Sequence, residues 1–371
     1  MREIYVKRLT RTGSGTYAIY LPKEWIKRVF SDREKEECLI SLRILEKAIL
    51  ILPPAKNVEN KLKLQKPDKR ETKQALISAY VNGFSHFLLE AEEGLNEESI
   101  LEARNVMRFL DETLVTSTDE HKIEFTDRFV EKEFNIEEAI SLLFDRVQDA
   151  MNLAHEILTY FDLNPERTIH LMQMLAAIED RDIDRGVYQI IRNLSKLNFK
   201  FGSFIELNYT VLINDILERL GDSSIGIAEL MCDIYGIPRA HLNYPYEILM
   251  KEFQKPRFPE CVAELKEEYL RAVHHCIQIL PKIKEYVQRR DGKTSLKMRA
   301  EIAMERVNTE KRIFEIQSRI KFPKAGNMER NVLLSTLQIA HRVREFQTRL
   351  ESICEQTALF WYAAATSTQD G

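Results

Sequence analysis

Two acidic pairs at one-turn spacing are the residues of this sequence best suited to chemistry. Asp180 and Asp184 stand four apart in IEDRDID, and Glu218 and Asp222 four apart in ERLGD. Residues at i,i+4 are neighbours on a helix, so each pair turns two carboxylates to one side. Asp180 and Asp184 fall beside the apolar stripe Ile183, Val187, Ile190 and Leu194, at an edge that a neighbouring helix can meet. On the second stretch, Ile213, Ile216, Leu217, Leu220, Ile227 and Met231 share one face, and Asp215, Glu218, Asp222 and Glu229 share the other. Together, Asp180, Asp184, Glu218 and Asp222 make an all-oxygen set on two helices, suited to Mg, Ca, Mn, Fe or Zn, with Glu179, Asp182 and Asp215 as further donors. The competing expectation is a solvated face on which Arg181, Arg185 and Arg219 pair the acids. Such surface pairs contribute about 0–1 kcal/mol each.

A second constellation is basic. Lys7, Arg8, Arg11, Lys23, Lys27 and Arg28 outnumber Glu3 and Glu24 around a turn at Arg11–Gly15 and a short helix opened by Pro22. A cationic face of this kind suits the phosphate backbone of duplex DNA. Around it, Ile4–Leu9, Thr16–Leu21, Cys38–Leu45 and Ala48–Leu52 read as strands. Four strands and one short helix are too few to close a core, so this unit is expected to form a homodimer.

Other chemistries find little support. There is no Glu-x-x-His for a di-iron bundle, and His274-His275-Cys276 would diverge by about 100° per residue on a helix. Gly13-Ser14-Gly15 lacks both the Lys of a P-loop and the continuation of a dinucleotide fold. No nucleophile–base pair is recognisable, and a non-enzymatic role is expected. Gly (12) and Pro (11) are scarce in 371 residues, which points to a helix-rich chain. Five scattered cysteines without a C-x-x-C predict reduced thiols and a cytoplasmic location. Apolar runs are too short for membrane insertion, and no signal peptide is expected.

Beyond the basic unit, Asn57–Lys73 reads as a charged linker, Thr72–Glu92 and Glu97–Leu110 as helices, and Thr113–Phe125 as a β excursion. Long helices then follow at Ile136–Phe161, Glu166–Leu197, around Ile213–Met231, and at Glu260–Arg289, Leu296–Ile320 and Met328–Tyr362. Two sets of three, separated by a passage with Pro245, Pro256 and Pro259, suggest internal duplication. In the second set Glu305 and Thr309 fall where Asp180 and Asp184 stand, and Arg344 and Thr348 where Glu218 and Asp222 stand, so no metal is expected there.

Two resemblances extend this reading. Thr12-Gly13-Ser14-Gly15-Thr16-Tyr17 with Leu21-Pro22-Lys23-Glu24-Trp25 resembles the AbrB/MazE/SpoVT swapped-hairpin DNA-binding domain, as found ahead of PhoU domains in archaea. Glu218-Arg219-x-x-Asp222 followed by Ile227-Ala228-Glu229 resembles the third helix of a PhoU three-helix bundle, and Asp180-x-x-x-Asp184 resembles its metal-binding signature. The resemblance implies a mainly α fold: a β-rich swapped-hairpin domain at 1–54, a linker and α/β connector at 55–129, and antiparallel three-helix bundles at 130–236 and 258–362. It further implies a regulator of phosphate uptake, dimeric and DNA-binding, with a divalent or iron-type metal at the first bundle. The alternative is an accessory protein that contacts a phosphate transporter or signalling kinase without binding DNA.

Overall fold

The computed structural model describes residues 10–13, 16–18, 41–45, 48–52, 61–84, 86–110, 114–127, 134–196, 204–320 and 327–367. The chain divides into two compact units, Met1–Glu59 and Asn60–Gly371.

In the first unit, strands β1 (Thr10–Gly13) and β2 (Thr16–Ala18) pair antiparallel, and so do β3 (Ser41–Leu45) and β4 (Ala48–Leu52). Within the stretch expected as a turn, Arg11 pairs with Tyr17 and Gly13 with Thr16 across a register shift. A glycine at such an irregularity is the usual way to bend a short strand. The expected strand at 4–9 and the short helix from Pro22 lie outside the described residues.

The second unit is mainly helical and begins with a small α/β module. Strand β5 (Lys61–Leu64) lies inside the stretch expected to be linker. Helix α1 (Lys69–Val81) follows; Asp68 caps it by accepting from the Glu71 N–H at 2.8 Å, and Glu71 accepts from the Asp68 N–H at 3.1 Å. The expected single helix 72–92 is broken. After Gly83, whose φ of 80° suits only glycine well, His86–Ala91 forms strand β6. Its Phe87, Leu89 and Ala91 are buried alternately, the period of a strand. Helix α2 (Glu97–Leu110), β7 (Leu114–Thr118) and β8 (Lys122–Asp127) complete the module. The sheet runs β5-β6-β8-β7, with β5 parallel to β6 and the other pairings antiparallel. Leu76, Tyr80, Phe87, Leu89, Val106, Leu110, Ile123 and Phe125 form its core with α1 and α2.

The long helices are α3 (Ile136–Tyr160), α4 (Pro165–Ile178), α5 (Asp184–Lys196), α6 (Phe204–Tyr235), the short α7 (Tyr246–Glu252), α8 (Cys261–Arg289), α9 (Gly292–Arg319) and α10 (Asn327–Ser367). Asn135 caps α3, and Asn164 caps α4 with Pro165 in its first turn, where a missing N–H costs nothing. One core runs through both helical sets, from Leu143 to Cys354. Each fully buried Leu or Ile in it contributes about 1.5–3 kcal/mol of transfer free energy. Helix α6 is its axis, packed against α3 on one side and along α10 on the other. Cys232, Cys276 and Cys354 are buried free thiols. Among the described residues no helix is long and apolar enough to cross a membrane.

Candidate metal centre

The stretch expected to be one helix from Glu166 to Leu197 changes pitch in its middle. Glu179–Ile183 is a π turn, closed by a hydrogen bond from the Asp184 N–H to the Glu179 carbonyl. In an α-helix, residues five apart are separated by about 140° around the axis. The wider turn reduces that separation and brings Glu179 round to the side of Asp180 and Asp184. Carboxylate oxygens of Glu179, Asp180 and Asp184 all lie within 4.8 Å of one another, a group that could hold a metal ion. Glu179 is thus drawn in by the π turn, which no constant helical period reveals.

Gly221 sets the approach of the neighbouring helix. A Cβ there would sit 3.1 Å from two atoms of the buried Ile183 side chain, so a glycine lets α6 close onto the π turn. Gly221 stands between Glu218 and Asp222, the two α6 residues expected to join the site. Both face the trio closely enough to act on it electrostatically, but they lie outside its 4.8 Å grouping. The other acids of α6 are engaged elsewhere: Asp215 pairs with Arg219 at 2.9 Å and Glu229 with Arg239 at 3.4 Å. Arg181 and Arg185 form no ion pair among the described residues, so the solvated-face expectation holds for Asp215 alone. Asp180 accepts from the Asn243 amide at 3.1 Å.

The electrostatic consequence is large. Burial first, then Asp184, Asp180 and Asp222, raise the Glu179 carboxyl to about 8. Burial, then Glu218, Asp180 and Asp222, raise Asp184 to about 7. Glu218 moves up through burial and Asp222 beside it. Lys73 of α1 opposes both shifts. The donor set is all oxygen, with Glu179 and Asp184 half-buried and Asp180 exposed, which suits a hard divalent cation.

The α/β module forms the other wall. Arg192, buried on α5, donates to the Tyr80 carbonyl at 2.6 Å and the Phe84 carbonyl at 3.2 Å, with its guanidinium 4.3 Å from the Tyr80 ring centre. Phe109 of α2 meets Tyr188 of α5 edge-on at 6.2 Å. These contacts hold α1 and α2 across a groove from the π turn. Sequence reading missed Arg192, Tyr188 and Lys73, because their roles exist only once the module docks.

The corresponding place in the second set is arranged differently. Glu305 accepts from Arg312 at 2.8 Å, and Arg312 also reaches Glu268 at 2.9 Å. Arg306 meets Glu351 at 2.6 Å, and Arg344 meets Glu310 at 3.1 Å. Glu268, Glu305, Glu310 and Glu351 there each have a guanidinium.

Of the DNA-facing candidates, Arg11 lies in β1, opposite Tyr17 in register. Lys7, Arg8, Lys23, Lys27 and Arg28 lie outside the described residues. Compared with known proteins, the chain matches no family model, no curated protein and no solved structure.

Proposed function

We propose that this chain is a metal-responsive regulator of the PhoU type. Glu179, Asp180 and Asp184 hold a divalent cation, with Glu218 and Asp222 alongside, and the N-terminal unit binds duplex DNA as a homodimer to control phosphate uptake. The observation that carries the metal reading is the π turn, which gathers three carboxylates with no cation paired to them among the described residues. Once bound, the cation supplies the positive charge that this cluster lacks. DNA binding rests on Lys7, Arg8, Arg11, Lys23, Lys27 and Arg28 and on the resemblance of the Gly13–Trp25 motifs. Phosphate uptake enters through the resemblance alone.

The test has two arms on the whole chain. Calorimetric titration with Mn2+ is expected to show binding that disappears in the double variant Asp180→Asn, Asp184→Asn, while circular dichroism stays unchanged. Absence of binding in both proteins overturns the metal reading. In fluorescence anisotropy, duplex binding is expected to weaken with salt at about −0.9 in log–log slope per phosphate contact. Arg8→Ala with Arg11→Ala should flatten that slope by about one to two units per protomer. No duplex binding at low salt leaves the accessory-protein reading, in which the chain acts through a transporter or kinase. One surface favours that second reading: Met304, Val307 and Phe314 on α9 are 68%, 56% and 68% exposed.

A further inference from the structure

The groove between the α/β module and the π turn has a volume of about 720 Å³. That falls within the roughly 300–1,000 Å³ usual for small-molecule sites and is far more than a lone ion occupies. Asp180 and Asp184 line it, and so do four cationic side chains: Lys73, Arg108, Arg181 and Arg185. Among the described residues, none of the four makes a side-chain hydrogen bond or ion pair. Glu102, the remaining acid of the lining, is taken by Lys69 at 3.4 Å.

This lining offers more than a metal alone would use. Four positive charges around a cation site would weaken it unless an anion lies between them and the ion. Guanidinium groups grip phosphate oxygens in forked pairs, and hard divalent cations prefer the same oxygens. The groove also carries an apolar wall, formed by the rings of Phe109 and Tyr188. A free phosphate ion would leave that wall and most of the volume unused.

We propose that the groove binds a phosphate-bearing small molecule of nucleotide size. Its phosphates bridge a divalent cation on Asp180 and Asp184 to Lys73, Arg108, Arg181 and Arg185, and its organic part lies on Phe109 and Tyr188. This inference rests on the metal reading above.

The experiment is calorimetry on the whole chain, with Mn2+ alone and then with ADP, inorganic phosphate or citrate at saturating Mn2+, corrected for complexes formed in buffer. ADP is expected to bind, and to raise Mn2+ affinity by the same factor as Mn2+ raises that of ADP, because the two equilibria are linked. Lys73→Gln with Arg108→Gln, both on exposed side chains, should lower ADP affinity about tenfold or more without lowering Mn2+ affinity in the absence of ADP. If Mn2+ binds but ADP does not, or ADP binds equally to the variant, the groove inference falls and the metal reading stands. If Mn2+ fails to bind, both fall. Binding of citrate as tight as that of ADP overturns the phosphate class. Binding of inorganic phosphate as tight as that of ADP overturns the nucleotide size.

Discussion

Metal binding at the π turn should expel protons, and the number expelled can be worked out from the structure. Glu179 is raised to about 8 and Asp184 to about 7, so at neutral pH the first is mostly protonated and the second half so. A cation ligated by carboxylates requires them ionised, so binding at pH 7 should release about one to one and a half protons per ion. At pH 9 both groups are already ionised, and release should fall to about a tenth of a proton. Carboxyls at their ordinary values would release almost none at either pH. The assay is calorimetric titration with Mn2+ in buffers of different ionisation enthalpy, where the slope of apparent heat against buffer enthalpy gives the proton count. Glu179→Gln should remove the larger share of the release, since Glu179 holds more of the protons. Mn2+ binding at pH 7 without proton release would refute the claim that burial and mutual repulsion hold protons on this cluster.

The same groups set a pH dependence of stability. Below their ordinary values, 4.5 for Glu179 and 3.8 for Asp184, folded and unfolded forms hold the protons alike; as pH rises to about 8 and about 7 the folded form holds more, so metal-free stability should fall across that window. The upper limit is on the order of 5 kcal/mol per group taken alone, and denaturation of wild type against Glu179→Gln with Asp184→Asn at pH 5 and 8 isolates it. His155 works in the opposite sense: burial and the neighbouring His274 ring, 5.7 Å away, lower it, so its contribution is present above 6.5 and lost on acidification, and His155→Gln should flatten the acid limb of the melting curve. Gly292→Ala places a Cβ 2.3 Å from Trp361 Cβ and 3.0 Å from the Ala358 backbone, so urea unfolding should show a loss of about 1–3 kcal/mol. Arg192→Met removes two charged hydrogen bonds to the carbonyls of Tyr80 and Phe84, worth about 1.5–3 kcal/mol each, and hydrogen exchange should quicken in α1 before α6.

The long helices were legible because their punctuation is chemical. The starts expected at Ile136, Glu166 and Leu296 agree with α3, α4 and α9 to within a few residues, and Asn135, Asn164 and Asp291 cap them. The strand β6 was not, because Phe84, Phe87 and Leu88 fit a helical stripe as well as a strand, and only burial separates the two. Asp180 and Asp184 were legible as a pair from their spacing. Glu179 was read only as a further donor beside Asp182 and Asp215, since a periodicity argument assumes a constant turn and the π turn breaks it locally. The four-residue set was therefore read with two members of the observed trio and two neighbours that act from across the gap. Arg192 and Lys73 carry no local signal at all; their work depends on partners about a hundred residues away in sequence, met only when the module docks.

The contrast between the two helical sets follows from how each meets the cost of drawing acids together. Removing carboxylates from water is unfavourable unless a counter-charge travels with them. In the second set Glu268, Glu305, Glu310 and Glu351 have theirs in the chain, supplied by Arg312, Arg306 and Arg344. Its charge balance is internal, and it gains nothing from a dissolved cation. In the first set Glu179, Asp180 and Asp184 have no ion pair among the described residues, and Lys73 opposes their repulsion from across the groove, so the balance is left to protons or to an ion from solution. Under the metal reading, an ion from solution completes the first set, while the acids named in the second set are paired within the chain. Asp222 stands where the two meet, beside Arg219 on its own helix and within the fields of Arg342, Glu345 and Arg349 on α10. Gly226, one turn further along α6, leaves room for the Arg342 side chain, which a Cβ there would approach to 2.5 Å. Asp222, which acts on Glu179 and Asp184, therefore also lies within the fields of the α6–α10 contact, the seam that joins the two helical sets.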